Sequence, residues 1–234
     1  MQCKGLLLSG CIFLFTGAAL ADNCPVTTLD NYLGSGFSCG IDDKTFSSFM
    51  YSGTSNPPGF GLPAGSVAVT PITTPGNPGF QFSAGWFAST SSGILEEDSI
   101  IQYSVNVNQG GNPITDLSLS IAGVGWTGTG AVVVDETACL GAMLPACSGG
   151  TIETLSVYSS SSGSKLFDSL TFTGVSEIDL SKDISVQAGT NGSASLSLVT
   201  NQFPEGQVPE PSSILLFGSG VLALAGVLRR KLSI

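Results

Sequence analysis

The sequence predicts an all-β chain, an antiparallel β-sandwich of jelly-roll type held between two apolar ends. Three observations carry this. Apolar residues alternate with small polar ones at a period of two, the spacing of half-buried strands. Turn-forming clusters interrupt that alternation at short intervals. No helical periodicity of useful length occurs outside the ends. Apolar residues make up 42% of the 234, too many for a disordered Gly- and Ser-rich chain. The expected division is 1–21 signal peptide, 22–200 sandwich, 201–207 linker and 208–234 membrane tail.

At the N-terminus, Lys4 precedes an apolar stretch from Leu6 to Phe15, and Ala19-Leu20-Ala21 has the small-x-small form of a cleavage site. This pattern predicts a signal peptide that signal peptidase removes before Asp22. Leu8-Ser9-Gly10-Cys11 offers an alternative lipidation site, with most of the apolar residues on the wrong side of the cut. The expected mature chain keeps Cys24, Cys39, Cys139 and Cys147. An even number in an exported chain favours disulfides. Three pairings are open, and loop closure favours the neighbours Cys24–Cys39 and Cys139–Cys147. Each would stabilise the fold by about 2–3 kcal/mol.

Five segments show the clearest alternation. They are Phe80/Phe82/Ala84/Trp86, Ile101/Tyr103/Val105/Val107, Leu117/Leu119/Ile121, Leu166/Leu170/Phe172 around an outward Asp168, and Ala194/Leu196/Leu198. Weaker strands are expected at 45–51, 66–72, 131–135, 152–158 and 176–186. The breaks at 56–59, 75–79 and 109–113 are rich in Gly, Pro and Asn. Nine or ten such strands suit a two-sheet sandwich.

Charge and composition exclude several function classes. Between Asp22 and Gln207 three lysines face sixteen acids, a net −13. Nucleic acid and anionic lipid are repelled by that surface. Histidine is absent, which removes the commonest general base and metal ligand. With no C-x₂-C spacing either, no zinc site and no activated cysteine are expected. Carboxylates remain. Glu96-Glu97-Asp98 is the densest run, followed by Asp42-Asp43 and Asp135-Glu136. Each could help ligate Ca²⁺, although none has EF-hand spacing and solvated loops are the plainer reading. A pair of them could serve a glycosidase, but such pairs are too common to argue from. No catalytic residue and no cofactor are assigned. Trp86 shares the parity of Phe82 and belongs to the core. Trp126, among four glycines at 123–130, is the best aromatic platform for a ligand.

The C-terminus is the most informative segment. Val208-Pro209-Glu210-Pro211 leads into an uncharged run from Ser212 to Leu228, followed by Arg229-Arg230-Lys231. The run would span roughly 25 Å as a helix, enough for a thin bilayer. The basic cluster would stay cytoplasmic as a stop-transfer element. The prolines keep the preceding peptide extended, as a processing protease requires. This order of parts resembles the PEP-CTERM sorting signal of Gram-negative bacteria. The resemblance implies cleavage by an exosortase, an inner-membrane-anchored precursor, and a product at the cell surface or outside the cell. A plain tail anchor is the alternative. The resemblance also implies a link to exopolysaccharide and biofilm, and with no catalytic residue assigned the leading expectation is a non-enzymatic structural or adhesive protein. A carbohydrate-binding module is the second reading and a glycoside hydrolase the third.

Overall fold

The computed structural model describes residues 22–205. In chain order the strands are β1 (Thr27–Thr28), β2 (Ser38–Ile41), β3 (Lys44–Asn56), β4 (Ala68–Thr74), β5 (Asn77–Thr90), β6 (Leu95–Val107) and β7 (Ile114–Ala122). Then follow β8 (Gly125–Gly128), β9 (Ala131–Leu140), β10 (Thr151–Ser160), β11 (Gly163–Lys165), β12 (Phe167–Val175), β13 (Glu177–Gly189) and β14 (Gly192–Gln202). Two short 3₁₀ turns, Leu29–Tyr32 and Ala64–Ser66, are the helical elements among the described residues.

The strands form two seven-stranded sheets with antiparallel pairing throughout. One has the order β11-β10-β9-β13-β6-β3-β2. The other runs β1-β4-β5-β14-β7-β12, with β8 also paired to β14. From β5 onward the chain crosses between the sheets, so that β6-β13-β9-β10 faces β5-β14-β7-β12. That is the double Greek-key wiring of a jelly roll. The inner faces meet in one core. Ile101, Val105, Val134, Leu180 and Ile184 line one side, and Phe80, Phe82, Trp86, Leu117, Leu119 and Val199 the other. An aromatic cluster fills the end near Gly76: Phe46 meets Phe80 edge-on at 4.8 Å, and Phe49 stacks on Tyr103 at 5.3 Å.

Both neighbouring disulfides are present, Cys24–Cys39 and Cys139–Cys147. The first ties the segment before Leu29 to β2. Leu29 and Tyr32 are fully buried, so the N-terminal segment is part of the core.

Three expectations need correction. Residues 201–205 do not begin a linker. Asn201 and Gln202 end β14, and Phe203 is fully buried in the core. Apolar burial and strand pairing hold this stretch despite its polar composition. Asp168 does not point outward. It crosses to the opposite sheet, accepts the Ser156 N–H at 2.9 Å and pairs with Lys165 at 2.8 Å. Finally, the inner face of β14 does not continue from Leu196 to Leu198. The register against β5 shifts there, and Val199 becomes the buried position. The signal peptide and the apolar run 212–228 lie outside the described residues.

A polar network crosses the core. Lys182 on β13 and Glu136 on β9 are directly paired positions, both fully buried, and form a salt bridge. The Lys182 ammonium also donates to Asn201 Oδ1 on the opposite sheet at 2.8 Å. Asn201 Nδ2 donates to Ser118 O at 2.9 Å and to Glu136 Oε1 at 3.1 Å, and Tyr103 Oη donates to Asn201 Oδ1. Burial pulls the Lys182 pKa down, and the Glu136 charge opposes that pull. Every charged oxygen and the ammonium therefore have partners, which a buried ion pair needs to be tolerated.

Lys182→Met leaves Glu136 buried and uncompensated, and should cost about 3–5 kcal/mol. Adding Glu136→Leu should recover a substantial part of that loss. Denaturant unfolding of the two variants checks both statements.

Candidate functional site

A second lysine closes the end of the domain from which the chain leaves. Lys44 opens β3 on the same face as Phe46, and its side chain is completely buried. Asn201, Phe203 and Glu205 alternate at the C-terminal end in the same way. The Lys44 ammonium pairs with Asp43 and Glu205 and donates to Asn112 O at 2.9 Å. Glu205 Oε2 accepts from Asn112 Nδ2 at 3.0 Å, and Asp43 Oδ2 accepts the Asn112 N–H at 2.5 Å. The backbone adds Glu205 N–H to Gly76 O at 2.9 Å, while Asp42 Oδ2 accepts the Gly76 N–H at 2.9 Å. A clasp thus joins the 42–43 turn, the 75–76 turn, the 108–113 loop and the last described residue.

Two carboxylates share one ammonium here, and they respond in opposite directions. Burial works against the Asp43 carboxylate, but its contact with Glu205, the hydrogen bonds from Lys44 and the Asn112 N–H, and the Lys44 charge hold it below its ordinary value. Burial and the contact with Asp43 push Glu205 up, against Lys44 and Asn112. Asp42, Asp43 and Glu205 are the one group of three acids close enough to hold a metal ion among the described residues. The Lys44 ammonium already meets two of them. Only the first two were sequence candidates. Glu205 was missed because it lay beyond the expected end of the domain, although its parity with Phe203 was readable.

The other acidic runs do not converge as runs. Glu96, Glu97 and Asp98 lie within β6, not in a loop. Glu97 faces inward and accepts the Phe87 N–H at 2.8 Å, while Glu96 accepts from Ser185 at 2.7 Å and Gln187 at 2.9 Å. Burial raises the Glu97 pKa, against hydrogen bonds from the Phe87 and Leu62 backbone. Asp135 is exposed while Glu136 is buried on Lys182, because adjacent strand residues face opposite ways. What the fold does assemble is a row across three strands. Asp183 on β13 lies opposite Asp135 on β9 and diagonal to Asp98 on β6, whose register partner is Ser185. Burial, Asp183 and Glu96 push the Asp98 pKa to about 7.

Trp86 is fully buried, with its indole N–H on Ser99 Oγ at 3.1 Å. Trp126 lies on β8 beside the buried Ala194, so it leans toward the interior at the sheet edge. Its N–H reaches across to Ser159 Oγ on the opposite sheet at 3.2 Å, yet 39% of the residue stays exposed. Phe87 and Phe167 are exposed on the outer side of β5 and β12. Two strands, β14 and β7, separate them, about 14 Å across the sheet alone, so they form no contiguous aromatic row.

The residues Val208, Pro209, Glu210, Pro211, Arg229, Arg230 and Lys231 lie outside the described residues. Among the described residues no helix is long and apolar enough to cross a membrane. Residues 207–231 match the PEP-CTERM protein-sorting motif. No curated protein matches the chain. Among solved structures, TmCBM61 in complex with β-1,4-galactotriose aligns over 68% of this chain and 90% of its own, at 14% identity and a TM-score of 0.30. The enzymatically active domain of bacteriophage CBA120 tailspike protein 4 aligns over 64% of this chain and 19% of its own, at 11% identity and a TM-score of 0.26. Likenesses this loose carry no argument about ligand or activity.

The acidic row makes a pH prediction. Asp98 holds its proton more tightly in the folded than in the unfolded chain, so its contribution to stability is greatest below about pH 4. That contribution is lost as pH rises toward and through 7. Asp98→Asn should raise the melting temperature at pH 8 and flatten its decline between pH 4 and 8. Thermal unfolding of both proteins across that range tests the sign.

Proposed function

We propose that the protein is an exported precursor whose jelly roll is displayed or released as a non-enzymatic structural or adhesive component of the cell surface or matrix. The chain carries the sorting motif of an exosortase substrate at 207–231. The observation that carries the proposal is where that motif falls. It begins two residues after Glu205, the last described residue, which is clasped onto the sandwich. The folded domain is therefore the cargo, and the segment after it is the address. In this reading signal peptidase removes residues 1–21, the run 212–228 holds the precursor in the inner membrane, and exosortase cuts near Pro209 to Pro211.

The non-enzymatic reading draws support from how the acids are used. Asp43 and Glu205 are taken up by Lys44, Glu136 by Lys182, and Glu96 by Ser185 and Gln187. Exopolysaccharide is the partner that the motif's family suggests. Carbohydrate binding by the domain itself is the second reading, and the exposed part of the Trp126 indole favours it. Calcium is not needed by either.

Glu210→Ala should slow conversion of the precursor several-fold and leave the melting temperature of the domain unchanged. Pulse-labelling in cells with and without exosortase measures the first. Conversion that proceeds equally without the enzyme contradicts the sorting reading. Weak polysaccharide binding abolished by Trp126→Ala would move the second reading to the front.

A further inference from the structure

The described fold runs to Glu205, its last described residue, so at most residues 206–211 lie between it and Ser212, where the apolar run begins. An extended chain over those seven steps reaches about 20–25 Å. Strand β5 alone has fourteen residues and carries the chain about 40 Å from the Gly76 turn to the 91–94 turn. The tether is thus shorter than the domain. We propose that the clasp of Lys44, Asp43, Asn112 and Glu205 fixes the orientation of the precursor. The sandwich stands on the membrane with its 42–43, 75–76 and 108–113 turns facing the bilayer and the processing enzyme. Lys44 and Glu205 act as positioning residues for sorting, and that end of the domain is the surface the enzyme meets.

Two further observations favour an upright domain. The Asp98, Asp183 and Asp135 row lies across the outer face of one sheet, whereas at the clasp end Lys44 pairs with two of the three acids. An anionic bilayer repels that outer face and disfavours laying the domain flat. The clasp is also made between residues 161 positions apart, Lys44 and Glu205, so it forms only when the sandwich is closed. The sorting motif is then offered at a fixed place on a finished fold. The orientation rests on reading 212–228 as a membrane span.

The test uses the precursor from Asp22 to Ile234 in vesicles of phosphatidylethanolamine and phosphatidylglycerol, with no processing enzyme present. A donor dye is placed at Gln109→Cys in the clasp-side loop or at Ser92→Cys in the opposite turn, both exposed positions, and an acceptor dye in the lipid. Energy transfer should be several-fold stronger from position 109 than from position 92. A flexible insertion of some twenty Gly and Ser residues after Gly206 should erase most of the difference. Glu205→Gln combined with Lys44→Met should reduce it, and Glu205→Gln alone, the gentler change, should reduce it less. Circular dichroism confirms that each variant is folded. Equal transfer from both positions in the native precursor overturns the orientation. An asymmetry untouched by the insertion or by both clasp variants overturns the role of the clasp. Because no cleavage occurs in these vesicles, a difference found here stands even if exosortase proves not to act on the tail. A precursor processed normally but lacking the difference sinks the orientation alone.

Discussion

The architecture depends on one ammonium group held between the sheets. Lys182 sits in a row with Ile178, Leu180, Ile184 and Val186 on the inner face of β13, where a lone charge would be intolerable. Glu136 supplies the counter-charge from the neighbouring strand, and Asn201 reaches it from the opposite sheet. Tyr103 and the Ser118 carbonyl complete the set. Apolar pairs would bury as well, but they would not fix register. Sliding β14 by one residue would turn Asn201 to solvent and leave Lys182 one partner short. The network therefore selects how the two sheets sit against each other, and everything at the C-terminal end inherits that registration.

The clasp is its consequence. Phe203 follows Asn201 into the core, and Glu205 follows Phe203 onto Lys44. The same strand that closes the sandwich delivers the chain to its sorting motif. Two of the three lysines in the domain are thus buried in ion pairs, and the third, Lys165, pairs with Asp168 at the surface. The exterior is left strongly acidic. This suits an exported protein that must pass anionic membranes without sticking, and a pair of seven-stranded sheets whose edges would otherwise invite association.

Much of this was legible in the residues. Period-two alternation located the main strands, and the short loops between cysteines located both disulfides. The PEP-CTERM tail was legible because its three parts come in a fixed order. The reading failed where charge was taken as a sign of the outside. Lys182 and Glu136 stood at core parity, flanked by apolar residues two positions away on both sides, yet only their partner strand makes them tolerable. Asp168 failed for the same reason. The end of the domain was set too early because Asn201 to Glu205 reads as a polar stretch until its alternation with Phe203 is noticed. The acidic row of Asp98, Asp183 and Asp135 was not legible at all, since it joins three strands whose pairing no local pattern specifies.

Export and tail cleavage are tested most directly by the intact mass of the protein recovered from the cell surface or medium. A sorted and processed protein starts at Asp22, contains both disulfides, and ends near Pro209 to Pro211. A surface species that still carries Arg229-Arg230-Lys231 would contradict tail cleavage.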